Sequence, residues 1–354
     1  MRPRWLDPGH ATPADLAACR AALRDGSRTF LAASHLLPRR VRDPACALYA
    51  FCRAADDQVD LHCDIDGGAD VLDRLAERLE RAYAGRPGPA PADRALADVV
   101  ARFAIPRALP DALLEGFAWD AAGRTYEDLS ALTAYAVRVA GTVGAMMALL
   151  MGERSWEGVA RACDLGVAMQ FTNIARDVGE DARAGRLYLP RAWLREAGVE
   201  PDSWLRRPAP GPALEAVVAR LLAEADALYL RAEAGIARLP ASCRPGIRAA
   251  ARLYAAIGDE VGRSRDPIGR RAVVAPARKL RLAAGVLAAG PGERAAAAGL
   301  AAPVLPEALH LVEAVAGLPV AEGGPWTIGG RMIWMLDLFE RLERPAPPIM
   351  AEKA

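Results

Sequence analysis

Apolar residues return every three to four positions along most of the chain, and no convincing set of alternating, strand-type runs interrupts them. The pattern predicts an all-α protein, with helices in its first part over about 13–24, 43–62, 69–84, 92–103, 110–121 and 128–151. Further on it predicts helices over about 155–181, 211–238, 244–264, 270–287, 305–317 and 326–343. The breaks between them are rich in Pro and Gly, as in "AGRPGPAPAD" (84–93), "RRPAPGPA" (206–213) and "EGGP" (322–325). None is long, or flanked by a sharp change of composition, so one domain is expected over 1–354, with 344–354 as a disordered tail.

Two stretches put charge where this pattern asks for core. In "YAFCRAADDQVD" (49–60), helical periodicity sets Tyr49, Cys52, Arg53, Asp56 and Asp60 along one face. In "QFTNIARDVGEDARAGRLYLP" (170–190), Asn173, Asp177 and Asp181 fall at i, i+4 and i+8, a ladder with rungs about 6 Å apart. Both ladders cross otherwise apolar helices, and an arginine, Arg53 or Arg176, stands beside the first acid of each. A single Asp-x-x-x-Asp is common on a solvated helix face. Two of them in buried helices, facing one cavity, would repel unless cations lay between them. Mg²⁺ fits, because it takes oxygen ligands and is commonly held by a few carboxylates together with substrate phosphate. The expected ligand is therefore a Mg²⁺-bridged diphosphate, with guanidiniums on its remaining oxygens. Asp57 and Glu180 adjoin the ladders without lying on them, and are read as supporting or solvent-facing.

Composition narrows the field. At 354 residues the chain can bury a long ligand, and a formal charge of +1 speaks against nucleic acid as a partner. The longest apolar stretch, Val139 to Gly152, is about fourteen residues, short of the roughly twenty that span a bilayer. Six scattered cysteines, with no Cys-x-x-Cys and no secretory leader, suggest free thiols and a cytoplasmic location. His62 and Cys63 lie near the first ladder, but no second His/Cys pair has ligand spacing. Gly-rich phosphate loops and dinucleotide fingerprints are absent, and neither ATP nor NADPH is expected.

Together, "GSRTFLAASHLLPRRVRDPACALYAFCRAADDQVD", "AYAVRVAGTVGAMMALLMG" and the second acidic stretch resemble the squalene/phytoene synthase family, and within it the bacterial phytoene synthases. The likeness runs from about residue 15 to about 285. It implies an isoprenoid-synthase helical bundle around a central cavity, and head-to-head condensation of two allylic diphosphates. For phytoene both would be geranylgeranyl diphosphate, joined through the cyclopropyl intermediate prephytoene diphosphate, with Mg²⁺, or Mn²⁺ in its place, assisting ionisation.

By the same resemblance Asp56 and Asp60 belong to the first metal-binding motif, and Asp177 and Asp181 to the second, with Asn173 and Gln170 polar positions on the same helix. Arg28, Arg53, Arg176 and Arg271 fall at basic positions that hold diphosphate. Tyr49 and Tyr254 match tyrosines of the catalytic cavity, and Phe30, Val139, Ala140, Gly141, Val143 and Gly144 match the prenyl pocket. For Gly141 and Gly144, periodicity alone favours close helix packing over room for a prenyl tail.

The chain departs from the family at Ser264-Arg265-Asp266, where many members carry Gly-Tyr-Asp, and Arg265 receives no role. Arg28 stands where relatives often have lysine. The C-terminal "WTIGGRMIWMLDLFERLERP" reads as a core helix. A second reading makes it a peripheral contact with the inner membrane, suited to an apolar product and to hand-over to a phytoene desaturase. Sibling synthases making squalene, dehydrosqualene or presqualene diphosphate from farnesyl diphosphate share the motifs. A non-catalytic scaffold would be expected to have lost the aspartates, and a class I terpene cyclase to carry an Asn/Ser/Glu triad.

Overall fold

The structure is a computed structural model, and it describes residues 9–62, 68–264, 266, 268–269, 271–288 and 299–316. Among these, every regular element is helical. They fall in one compact unit, Met1–Gly317; the remaining segment, Leu318–Ala354, carries the predicted helix 326–343 and the predicted tail, which lie outside the described residues.

The chain runs through α1 (Pro13–Gly26), α2 (Arg28–Ser34), α3 (Arg39–His62), α4 (Gly68–Tyr83), α5 (Pro91–Phe103), α6 (Ala108–Ala121), α7 (Leu129–Ala136) and α8 (Thr142–Leu150). It continues through α9 (Trp156–Arg183), α10 (Arg191–Glu196), α11 (Pro201–Arg206), α12 (Pro212–Arg238), α13 (Arg244–Arg263), α14 (Pro276–Ala288) and α15 (Leu309–Ala316). Local chemistry starts many of these helices. Thr12 and Asp15 form a reciprocal capping box at α1, with the Asp15 carboxylate accepting from the Thr12 N–H at 2.8 Å. Ser155 caps α9 by accepting from the Gly158 N–H at 3.1 Å.

Where boundaries differ from expectation, proline and short length explain it. The helix expected from 270 begins at Pro276, which occupies the first turn, where its missing N–H costs nothing, and 271–275 run without regular structure. Helix α3 starts at Arg39, four residues early, and carries Pro44 inside it. The short α2, α10 and α11 hold too few turns for a periodic signal; a Ser27 cap on the Phe30 N–H, at 3.2 Å, and prolines at 190 and 201 start them.

The core is organised on α9, which packs most extensively along α12 and also against α8 and α13. The helix predicted over 128–151 is interrupted by a π turn, Val137–Gly141. Such a turn inserts one residue and re-aims the face that follows it. At this crossing α8 and α9 approach to backbone contact: a Cβ on Gly144 would overlap the Ala162 carbonyl, and one on Gly166 the Ala140 carbonyl. By length and composition Leu129–Leu150 could cross a membrane, a longer apolar stretch than the sequence reading allowed, but most of it is buried within the bundle, as suits a core helix.

Candidate functional site

A cavity of about 700 Å³ lies inside the bundle. One face of α9, from Gly158 to Arg176, lines it at steps of three and four residues, so a 3.6-residue period has become a continuous wall. Opposite elements contribute Tyr49, Cys52, Arg53 and Asp56 of α3, Phe30 of α2, Tyr254 of α13 and the stretch from Arg271 to Val274. Val139, Ala140, Val143 and Gly144 complete the side supplied by the π turn and α8.

The polar groups gather towards one end. Arg53 donates to Asp56 at 3.3 Å and pairs with Asp57 at 2.6 Å, all three side chains being about half exposed. Asp177 is gripped from two sides. Arg176 donates to its two oxygens at 2.8 and 2.5 Å, and Arg271 does the same at 2.8 and 3.1 Å. Burial pushes the Asp177 carboxyl up, but the Arg176 and Arg271 hydrogen bonds outweigh it and leave the group below its ordinary value. One turn on, burial first and Asp177 second push the Asp181 carboxyl up to about 7, against the opposing pull of Arg186.

The reach of Arg271 depends on a glycine. A Cβ on Gly179 would overlap the Ile268 backbone, so its absence lets the preceding turn lie flat on α9, where Arg183 donates to the Ile268 carbonyl at 3.1 Å. Nearby, Phe30 stands between two tyrosines, 6.4 Å from Tyr49 and 5.3 Å from Tyr254 between ring centroids. Burial pushes the Tyr254 hydroxyl up to about 12, and that of Tyr49 upward as well, so both stay protonated phenols. Gly26 leaves the space that the Tyr49 hydroxyl fills.

The structure therefore brings together Asp56, Arg53, Tyr49, Phe30, Gln170, Asn173, Arg176, Tyr254 and Arg271, with Asp177 joined to them through its arginines. Asp181 sits beyond, against a small crevice it shares with Arg186 and Tyr188. Gly141 is buried with its absent side chain directed at Val137 and Cys163, behind the wall, while Gly144 both lines the cavity and packs against α9. The Asp60 and Arg28 side chains, Arg265 and Cys63 lie outside the described residues.

Asp120 and Tyr135 are among the lining residues to which the sequence reading gave no role. Asp120 accepts from the Tyr135 hydroxyl at 2.7 Å and from the Tyr188 hydroxyl at 2.8 Å, and Tyr135 and Tyr188 stack at 5.3 Å. Burial, with Asp120 next, holds both phenols well above their ordinary range. The available signal was an acid near the end of the apolar helix α6, but its partners lie 15 and 68 residues away.

Among the described residues no group of three His, Cys, Asp or Glu side chains converges as a ready-made metal site. One atom nevertheless asks for a cation: the Asn173 Oδ1 is buried and accepts no hydrogen bond. Together with the elevated Asp181, it marks a place where positive charge is wanted on α9.

The squalene/phytoene synthase family model matches residues 23–279. A phytoene synthase of Rhodobacter capsulatus is 54% identical over 86% of this chain and 90% of its own length. Another, from Cereibacter sphaeroides, is 55% identical over 75% of this chain and 78% of its own. Among solved structures, a dehydrosqualene synthase in complex with ligand is similar at a TM-score of 0.72 and 32% identity, covering 78% of this chain and 96% of its own. A squalene synthase from Alicyclobacillus acidocaldarius follows at a TM-score of 0.65 and 26% identity, covering 71% and 94%. The chain belongs to the squalene/phytoene synthase family.

Proposed function

We propose that the chain joins two geranylgeranyl diphosphates head to head, through prephytoene diphosphate, and releases phytoene and diphosphate. The enzyme is a phytoene synthase, a prenyltransferase of carotenoid biosynthesis. The observation that carries the substrate reading is the cavity itself: a largely apolar interior with Arg53, Asp56, Arg176 and Arg271 on its wall, and Asp177 held behind them by Arg176 and Arg271. Its volume lies within the range of pockets that enclose a whole ligand.

In this reading Arg53, Arg176 and Arg271 hold diphosphate oxygens, a role the resemblance gives to Arg28 too, and the aspartates of both motifs with Asn173 hold Mg²⁺ or Mn²⁺. A divalent ion bound there supplies charge neutralisation for the departing diphosphate. The chain's own residues do the rest. The guanidiniums take up the diphosphate charge, Val139, Ala140 and Val143 shield the prenyl chains from water, and the ring faces of Phe30, Tyr49 and Tyr254 steady the allylic cation. We place the enzyme in the cytoplasm, peripheral on the inner membrane, where the apolar product passes to the bilayer and to a phytoene desaturase.

The test is incubation with geranylgeranyl diphosphate, and separately with farnesyl diphosphate with and without NADPH, each in Mg²⁺ or EDTA, followed by product identification. Magnesium-dependent phytoene, lost in Asp56→Ala and Asp177→Ala, is the expected result. Thirty-carbon products alone would move the chain to a sibling activity of the kind named for its structural relatives.

A further inference from the structure

At the end of the cavity away from the acids, the wall contains a charge that the chemistry above does not use. Arg161 on α9 is 1% exposed, yet lines an apolar space. Its guanidinium points out of the cavity. Nη1 donates to the carbonyls of Gly299 and Ala302 at 2.6 and 2.9 Å, Nη2 donates to that of Pro303 at 3.1 Å, and Nε lies 2.9 Å from Asp164. Asp164, also 1% exposed, accepts from Arg231 of α12 at 2.9 Å, and Arg231 donates to the same Pro303 carbonyl at 2.5 Å.

A buried ion triad is a costly way to close a wall that leucine would close, unless position matters. Here two arginines and one aspartate tie three carbonyls of a segment with no other described anchor on α9. Gly235 of α12 makes the arrangement fit: a Cβ there would overlap the Arg161 side chain. The Arg161 stem is thereby fixed in the cavity wall, three residues short of Gly158, where the α9 wall ends.

This end lies at a telling height. With about 1.5 Å of rise per residue, Ala162, half-buried and lining the same cavity, stands about 16 Å along α9 from Asn173, Arg161 about 18 Å, and Gly158, where the α9 wall ends, about 22 Å. An extended isoprene unit adds four carbon–carbon bonds, about 5 Å, so chains of three, four and five units measure about 15, 20 and 25 Å. Four units end between Arg161 and Gly158, and a fifth has to run past the end of the α9 wall.

We propose that the Arg161–Asp164–Arg231 triad, by pinning Gly299–Pro303 behind the far end of the cavity, sets the longest prenyl chain the site accepts. The inference rests on the diphosphate reading given above. Arg161 acts as a positioning residue, away from the reacting atoms.

The test compares turnover of farnesyl, geranylgeranyl and geranylfarnesyl diphosphates by the full-length chain and two variants. In Arg161→Ala the wall at this end is opened and Gly299–Pro303 loses its Arg161 ties while Arg231 stays on Asp164, and the ratio of the five-unit to the four-unit rate is expected to rise at least tenfold. In Ala162→Leu a larger side chain is placed on the cavity wall, and the four-unit rate is expected to fall at least tenfold against the three-unit rate. If Arg161→Ala does not fold, the second variant decides alone. Ratios unchanged from wild type, with all rates falling together, would overturn the gauge and leave the diphosphate reading standing. A wild-type protein that turns over none of the three would overturn that reading, and the gauge with it.

Discussion

Asn173 is the residue at which stability and activity pull hardest against each other. Its side-chain N–H approaches the Gln170 oxygen only at 3.5 Å, and its own buried oxygen has no hydrogen-bond partner. An unsatisfied buried acceptor costs about 1–3 kcal/mol. Asn173→Leu is therefore expected to leave the metal-free protein as stable as wild type, or more so by about 1 kcal/mol, while lowering turnover roughly 100-fold through loss of the cation contact proposed for it. Denaturant titration and steady-state assay read the two effects, and a variant that loses stability and keeps activity would remove Asn173 from the site. Asp15 shows the opposite balance. Hydrogen bonds from Arg94, at 3.0 and 2.5 Å, and then from the Thr12 N–H, hold its carboxyl far below the ordinary value of 3.8. A depressed folded value means stability that is present above the unfolded pKa and lost as pH falls through the folded one. Melting curves taken below about pH 4 are expected to show a shallower acid loss in Asp15→Asn than in wild type; parallel curves would refute this. At this scale the ladder Asn173, Asp177, Asp181 was legible because its spacing matches the helical period. Asp120 with Tyr135 and Tyr188, and Arg161 with Gly299 to Pro303, were not, since the partners meet only through tertiary packing.

Among elements, the long helices were readable because each keeps one apolar face for three turns or more. What remained hidden was how they cross. The π turn between α7 and α8 leaves no mark in an apolar run, and although periodicity favours close packing at Gly144, it gives no sign of the matching backbone contact at Gly166. Gly179 gives this a functional edge, because the turn resting on it delivers Arg271 to Asp177. Gly179→Ala has to push that turn away from α9, at a cost of about 1–3 kcal/mol in stability. It is also expected to raise KM roughly tenfold with kcat nearly unchanged, the worth of one charge-assisted contact to diphosphate. Arg271→Ala separates the two effects: its KM should rise similarly while its melting temperature holds. A normal KM in Gly179→Ala would mean that Arg271 reaches the substrate from wherever the turn goes.

Across the whole molecule, the first acid of each ladder, Asp56 or Asp177, is already paired with arginine. The Arg53 pairs are half exposed and worth little, about 0–1 kcal/mol, so they open readily. The grip on Asp177 is different, with that side chain 17% and Arg176 15% exposed. A cation arriving alone at Asp177 must displace two guanidiniums and leave them without partners. Diphosphate arriving alone must draw the guanidiniums away and leave the carboxylate uncompensated. When both arrive, each takes the partner the other releases, so the two ligands are coupled, and the coupling is reciprocal. Ligand at 100 times its dissociation constant stabilises a fold by about 2.7 kcal/mol, several degrees of melting temperature for a chain of this size. Inorganic diphosphate with Mg²⁺ is expected to give a shift of that order, against about 1 °C or less for either alone at the same concentrations. In Arg271→Ala half of the grip is gone, and diphosphate has fewer cations to recruit. Mg²⁺ alone should then shift the melting temperature more than it does in wild type, and the excess of the pair over the sum should shrink. Additive shifts in the wild-type protein would show that the arginines on Asp177 are structural, and that diphosphate is bound by other groups.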